Sequence, residues 1–123
     1  MIRIYEYPSC STCKQALKFL NEKDLAYERI SIVDQPPSRE ELEQMLAHLK
    51  QAGGSIRNLF NTSGILYRDL RIADKLKDGL TESEALNMLS KHGKLIKRPF
   101  VMTATNGTVG FKADAWKSFF NVK

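Results

Sequence analysis

The sequence lacks the long apolar runs, repeats and numerous cysteines that mark several large protein classes. No apolar run approaches the ~20 residues that a membrane-spanning helix needs. The first residues alternate apolar and charged side chains, unlike the apolar core of a signal peptide. The chain has only two cysteines, Cys10 and Cys13. We therefore expect a cytoplasmic protein with no membrane partner, in a compartment where structural disulfides are rare.

Length and composition predict one globular domain. The 123 residues suffice for a single domain over residues 1–123 and are too few for two. Hydrophobic residues make up 42% and charged residues 27%, which excludes the collagen-like, disordered and membrane classes.

A modest positive charge is concentrated in one segment. The formal net charge is +5, and Lys91, Lys94, Lys97 and Arg98 lie close together in the sequence. Such a cluster attracts anions, acidic partners or nucleic acid. Because no nucleic-acid-binding motif accompanies it, we expect most of the cluster to be a solvated basic face.

The first third of the chain has the pattern of a βαβ unit. Ile2 and Ile4 alternate within a strand over residues 2–6, and alternation returns over residues 26–33. Between them, apolar residues follow the spacing of a helix with one buried stripe. Two strands joined in this way are predicted to be parallel, with a right-handed crossover.

A helical insertion is predicted over roughly residues 38–92. Two capping boxes, Ser38 with Glu41 and Thr81 with Glu84, mark helix starts. Gly93 is placed to end the last of these helices.

The last third has the pattern of a hairpin followed by a helix. A strand is predicted from Pro99, and Asn106-Gly107 is a strong signal for a two-residue hairpin turn. Trp116, Phe119 and Phe120 lie on one face of a closing helix. The order βαβ, helices, ββα predicts an α/β thioredoxin-like fold with a mixed sheet and a helical insertion.

The spacing of Cys10 and Cys13 is open to three interpretations. A Cys-x-x-Cys pair is half of a zinc site, a redox dithiol, or two unrelated buried cysteines. A structural zinc site needs about four ligands, and the chain offers no further cysteine and no paired histidines. We therefore expect no metal and favour the redox interpretation over two inert core cysteines.

Position supports the redox interpretation. Cys10 lies in the loop after the first strand, and Cys13 lies in the first turn of the helix. The free N–H groups of that helix start, over Ser11 and Thr12, favour a thiolate and are predicted to bind an anion. Lys14 adds a nearby positive charge. We expect Cys10 to attack as the nucleophile and Cys13 to resolve the product.

Three stretches, residues 7–14, 36–42 and 95–99, resemble the glutaredoxin-type arsenate reductase (ArsC) family, including its Spx/MgsR branch. They occur in order over nearly the whole chain. The resemblance implies that Cys10 is the nucleophile and that the peptide bond before Pro99 is cis. It also implies that Arg98 lies across from Cys10 and binds an anion.

The resemblance also indicates candidate partners, and it shows where this chain differs from the family pattern. Typical members surround an oxyanion with three arginines and draw on glutathione and glutaredoxin. Arg98 matches one of those arginines, whereas Asn61 and Lys112 occupy the other two positions. The second cysteine, Cys13, is shared with the Spx/MgsR branch.

Two functions follow from this resemblance. The first is a thiol–disulfide oxidoreductase that binds no cofactor, with glutathione as a candidate co-substrate and glutaredoxin or thioredoxin as candidate partners. The alternative is an Spx-type redox-sensing regulator that binds the C-terminal domain of the RNA polymerase α subunit. In that case the Gly53-Gly54 turn, expected beside the site, is the candidate binding surface.

Overall fold

A four-stranded mixed sheet organises the chain in the computed structural model, which describes residues 1–123. The strands are β1 (Ile2–Glu6), β2 (Tyr27–Ser31), β3 (Phe100–Met102) and β4 (Gly107–Val109), in the spatial order β2-β1-β3-β4. Strands β1 and β2 are parallel, and the other two pairings are antiparallel. The predicted parallel βαβ unit and the final hairpin are therefore both present.

Helices pack on both sides of this sheet, and the two predicted capping boxes are confirmed. None of the helices is both long and apolar enough to cross a bilayer. The helices are α1 (Ser11–Glu22), α2 (Arg39–Gln51), α3 (Ile65–Asp69), α4 (Ile72–Lys77), α5 (Glu82–Lys91) and α6 (Ala113–Phe120), with 3₁₀ segments at Ile56–Leu59 and Gly93–Leu95. Helices α2 to α5 all come between β2 and β3, where the sequence predicts an insertion.

The core has two parts because successive side chains of β1 point to opposite faces of the sheet. Ile4 packs with residues of α1 and α6, among them Leu20 and Trp116. Tyr5 belongs to the larger cluster, which includes residues of α2 and α5 such as Leu42. The insertion thus has its own apolar attachment to one face of the sheet.

A polar link also joins the insertion to β1. Glu41, in the first turn of α2, accepts hydrogen bonds from the guanidinium of Arg3 and from the Tyr5 hydroxyl, the latter at 2.9 Å. The same carboxylate accepts the Ser38 N–H at 3.1 Å as part of the capping box. One side chain therefore caps α2 and orients it on the sheet.

The predicted hairpin exists, but the predicted turn is wrong. Met102 pairs with Gly107 and the Thr103 N–H donates to the Asn106 carbonyl at 2.9 Å, so the loop spans residues 103–106. Gly107 is the first residue of β4, and a Cβ there would lie 2.8 Å from the Met45 Cε. This glycine admits a core methionine and does not form the turn.

The predicted role of Gly93 is also wrong. Helix α5 ends at Lys91, with His92 as its C-cap, and Gly93 opens the next 3₁₀ segment. A Cβ on Gly93 would lie 1.8 Å from the Ile32 carbonyl oxygen. Glycine is required here because two backbones approach closely, just after β2 and just before the segment that carries Lys94.

Candidate functional site

Cys10 is the N-cap of α1. Its backbone is extended, with φ −88° and ψ 114°, and its sulfur accepts the Cys13 N–H at 3.2 Å. Its own N–H donates to the Tyr7 carbonyl at 3.0 Å. The sulfur occupies the place that a serine or aspartate oxygen takes in an ordinary cap. A negative charge on this sulfur is stabilised by that N–H and by the positive end of the helix.

Cys13 lies one helical turn further on and differs sharply from Cys10 in exposure. Cys13 is 0% exposed, whereas Cys10 is half-buried, and both are free thiols. Burial, followed by a hydrogen bond with Cys10, raises the pKa of the Cys13 thiol to about 12. The Tyr7 backbone and the charge of Arg98 act on this pKa in the opposite direction. Cys13 is therefore a neutral thiol near neutral pH.

This asymmetry predicts selective alkylation. Iodoacetamide at about pH 8 is expected to modify Cys10 and to leave Cys13 intact, because only the thiolate reacts. Peptide mapping by mass spectrometry measures the modification at each cysteine, and the same reagent in denaturant should modify both. Equal labelling of the two thiols in the folded protein would contradict the burial of Cys13.

An open cleft of about 700 Å³ lies beside Cys10. One side is the start of α1, including Ser11 and Thr12, and another is formed by the segment from Asn61 to Leu66. A third side carries cations from the segment that precedes β3. The cleft is therefore built by parts of the chain that are far apart in sequence.

Backbone pairing holds the two distant sides together. Phe60 and Ile96 form an antiparallel bridge, so the residues next to each of them are fixed as well. The Asn61 N–H donates to the Leu95 carbonyl and the Lys97 N–H donates to the Leu59 carbonyl, each at 2.7 Å. The loop at Asn61 and the cations near Arg98 are thereby placed across from α1.

The structure brings together some of the predicted site residues and not others. Those that line the cleft are Cys10, Ser11, Thr12, Asn61 and Arg98. Cys13 and Pro99 are buried, and the bond between Arg98 and Pro99 is cis. Lys14 and Lys112 are exposed and do not line the cleft. The Gly53-Gly54 turn, which was expected beside the site, does not line it either.

Sequence reasoning missed several cleft residues. Lys94 and Lys97 are exposed, as expected for a solvated basic face, but they also line the cleft, which was not predicted from the sequence. Tyr7 and Asp69 also line it, as does Ile65, which is 69% exposed. The available signal was the position of Lys97 beside Arg98 in one motif, whereas nothing local marked Ile65 or Asp69.

The chain was compared with known proteins. A model of the ArsC family matches residues 5–119. The protein YusI of Bacillus subtilis (strain 168) is 40% identical over 116 residues, which cover 94% of this chain and 95% of YusI. The global transcriptional regulator Spx of Streptococcus mutans serotype c is 29% identical over 119 residues, which cover 97% of this chain and 82% of Spx.

Solved structures show the same fold. An ArsC-family-related protein from Bacteroides fragilis is 39% identical, with a TM-score of 0.85 over 95% of each chain. A structure described as that of a possible arsenate reductase from Streptococcus mutans UA159 is 36% identical, with a TM-score of 0.80 over 92% of each chain. The predicted thioredoxin-like α/β fold is confirmed. Because the family model matches residues 5–119 and YusI is 40% identical over 94% of the chain, the protein belongs to the ArsC family.

Proposed function

We propose that the protein is a thiol–disulfide oxidoreductase in which Cys10 attacks a disulfide and Cys13 resolves the mixed disulfide. One observation carries this proposal: the sulfur of Cys10 caps α1 at the edge of an open cleft, with the neutral thiol of Cys13 buried one turn behind it. A half-exposed nucleophile backed by a protected second thiol is the arrangement that a two-step exchange needs.

In the first step the Cys10 thiolate attacks one sulfur of a substrate disulfide. A bond forms between Cys10 and that sulfur, the substrate S–S bond breaks, and the other half leaves as a thiolate. The leaving thiolate takes a proton from water. The product is a mixed disulfide on Cys10, in which the Cys10 sulfur has been oxidised while the leaving sulfur of the substrate has been reduced to a thiol.

In the second step the Cys13 thiol loses its proton and attacks the sulfur of Cys10. The remaining half of the substrate leaves as a thiol, and a Cys10–Cys13 disulfide forms. The first step makes the second easier. Two of the causes that raise the pKa of Cys13 are its hydrogen bond with Cys10 and the charge of Cys10. Once Cys10 is in a mixed disulfide, that charge is gone and Cys13 ionises more readily.

The cycle closes when an outside thiol reductant reduces the Cys10–Cys13 disulfide. Glutathione, glutaredoxin and thioredoxin are the candidate reductants and partners, in the cytoplasm. The guanidinium of Arg98 and the N–H groups of Ser11 and Thr12 are suited to hold an anionic group of the substrate. Lys14 and Lys112 are then left to contribute longer-range positive charge.

Oxidation tests the proposal directly. Treatment with diamide is expected to remove two hydrogens from the protein mass and to join Cys10 to Cys13, and dithiothreitol should restore both. The Cys13→Ser variant is the control and should form no intramolecular bond. Two intact thiols after diamide would refute the redox function.

Arsenate reduction is expected to be weak. Compared with a typical member of the family, this chain lacks two of the three arginines that surround the oxyanion. A charged hydrogen bond is worth roughly 1.5–3 kcal/mol, so we expect the rate of arsenate reduction to be lower by about a hundredfold or more. Asn61→Arg should recover part of this loss, because residue 61 lines the cleft. The matched variant Lys112→Arg should recover little, because Lys112 lies outside it.

The assay is NADPH consumption by glutathione reductase, which regenerates the glutathione that reduces glutaredoxin. Arg98→Ala should lower the residual activity further. Wild-type turnover at ordinary enzyme rates that is indifferent to Arg98→Ala would contradict this account of the cleft.

A second candidate function is redox-sensing regulation of transcription through the α subunit of RNA polymerase. The observation that favours it is the 29% identity to the regulator Spx over 97% of this chain. Binding of the purified C-terminal domain of the α subunit to oxidised and reduced protein separates the two functions. Gly53→Lys should weaken such binding, whereas Gly79→Lys, at another exposed glycine with positive φ, should not. No binding in either redox state would exclude the regulator.

A further inference from the structure

Tyr7 lies where the first strand gives way to the Cys10 loop, and its ring contacts two cations of the cleft. The guanidinium carbon of Arg98 is 4.9 Å from the ring centre, and the ammonium nitrogen of Lys94 is 5.9 Å from it. All three side chains line the cleft beside Cys10. Both distances fall within the range in which an aromatic face attracts a cation.

The ring is held firmly enough to act as a platform. Tyr7 is half-buried and packs against the larger core cluster. Its carbonyl accepts the Cys10 N–H at 3.0 Å, which ties the same residue to the nucleophile. Any cation that rests on this ring therefore has a fixed position relative to the sulfur of Cys10.

The cations need such a platform because they repel one another. Lys94, Lys97 and Arg98 fall within five consecutive positions and all line one cleft. Long charged side chains also lose rotamer freedom when they are confined. Lys97 is exposed and has no contact with the ring. The contacts of Arg98 and Lys94 with Tyr7, by contrast, favour positions over the cleft instead of positions further out in water. No carboxylate forms a salt bridge with any of the three cations.

We propose that Tyr7 is a positioning residue that holds Arg98 and Lys94 over the cleft and so makes Cys10 selective for electrophiles that carry a negative charge. Applied to disulfides, this inference rests on the proposed function, and it names the substrate class as disulfides with a carboxylate or similar anion near the sulfur. The electrostatic claim itself needs only a reactive Cys10.

The ratio of two alkylation rates tests the claim. Iodoacetate is an anion and iodoacetamide is neutral, and each transfers its carbon to the Cys10 sulfur with loss of iodide. Both react with the same thiolate, so the thiolate fraction cancels in the ratio. Damage to the fold that alters access to Cys10 affects both rates, whereas loss of positioned cations lowers only the rate with iodoacetate.

We expect Tyr7→Leu to lower the ratio of iodoacetate to iodoacetamide rates by about threefold or more, since each cation–π contact shifts a population roughly two- to fivefold. Tyr7→Phe should keep the ratio within about twofold of wild type, because the ring remains. Lys91→Gln removes one unit of positive charge from the basic cluster but outside the cleft, and it should leave the ratio unchanged. The difference in this rate ratio between Tyr7→Leu and wild type should become smaller as the salt concentration is raised.

An unchanged ratio in Tyr7→Leu, or an equal fall in Tyr7→Phe, would overturn the proposal. If Tyr7→Leu does not fold, Tyr7→Trp serves instead, and it should keep or raise the ratio because tryptophan is the best cation–π partner. A fall in the ratio with Tyr7→Trp would also overturn the proposal.

Reduction of two disulfides separates this inference from the proposed function. Dithiodiglycolate carries carboxylates and hydroxyethyl disulfide is neutral, and Tyr7→Leu should raise KM for the former while kcat for both stays close to wild type. If the wild-type protein reduces neither disulfide but the alkylation ratios behave as expected, the proposed function fails and the positioning role stands. If both disulfides are reduced and Tyr7→Leu has no selective effect on KM or on the alkylation ratio, the positioning role fails and the proposed function stands.

Discussion

The Cys13→Ser variant is expected to stop after the first step and to accumulate a mixed disulfide on Cys10. In the wild type the second thiol is one helical turn away, and such fixed neighbours reach effective concentrations far above any thiol in solution. Its loss should slow the release of the bound half-substrate by at least about a hundredfold. Glutathione disulfide is the convenient probe, and intact-mass spectrometry detects the glutathione adduct.

The Cys10→Ser variant is the matched control, since it makes the same substitution one turn earlier. It should form no adduct under the same conditions, because the remaining thiol is 0% exposed and burial, the largest cause of its raised pKa, persists in this variant. An adduct on Cys13 in this variant, or steady turnover by Cys13→Ser without added thiol, would reverse or remove the assigned roles.

The Gly93→Ala variant is expected to lose about 3 kcal/mol or more of its free energy of unfolding. The new Cβ would lie 1.8 Å from the Ile32 carbonyl oxygen and 2.7 Å from its carbonyl carbon. Both contacts are with backbone, so no side-chain rotation relieves them. The chain must separate the segment after β2 from the segment that leads to the cleft. Urea unfolding measures the loss as a lower midpoint.

Gly79→Ala is the control for this substitution. Gly79 has φ +99° and nothing within 4 Å of a built Cβ, so alanine there meets only backbone strain. That strain costs roughly 1–2 kcal/mol. Equal destabilisation by the two substitutions would show that the close approach at Gly93 relaxes without cost.

The elements of the fold could be predicted because their signals are local. The alternation of Ile2 with Ile4 and the Ser38–Glu41 capping box each involve residues within one strand or one helical turn. The failures at Gly93 and at Asn106-Gly107 have a common cause. Local patterns predict that these glycines end a helix or form a turn, because glycine adopts backbone conformations that other residues disfavour. In the structure, Gly93 and Gly107 instead make room for atoms of a distant segment.

The candidate site likewise has features that local sequence predicts and features that only the tertiary structure determines. Cys10 and Cys13 could be identified from the sequence as candidate redox residues, because a cysteine pair after a strand and at a helix start lies in the positive field of that helix. The inclusion of Lys94 and Lys97, the exclusion of Lys112 and the contact of Tyr7 with Arg98 were decided by tertiary structure alone. The placement of Lys97 opposite the loop at Asn61 depends on the bridge between Phe60 and Ile96, which joins segments more than thirty residues apart. Spacing along the chain determines which groups share a helical turn, but only packing between segments determines which charges share a cleft.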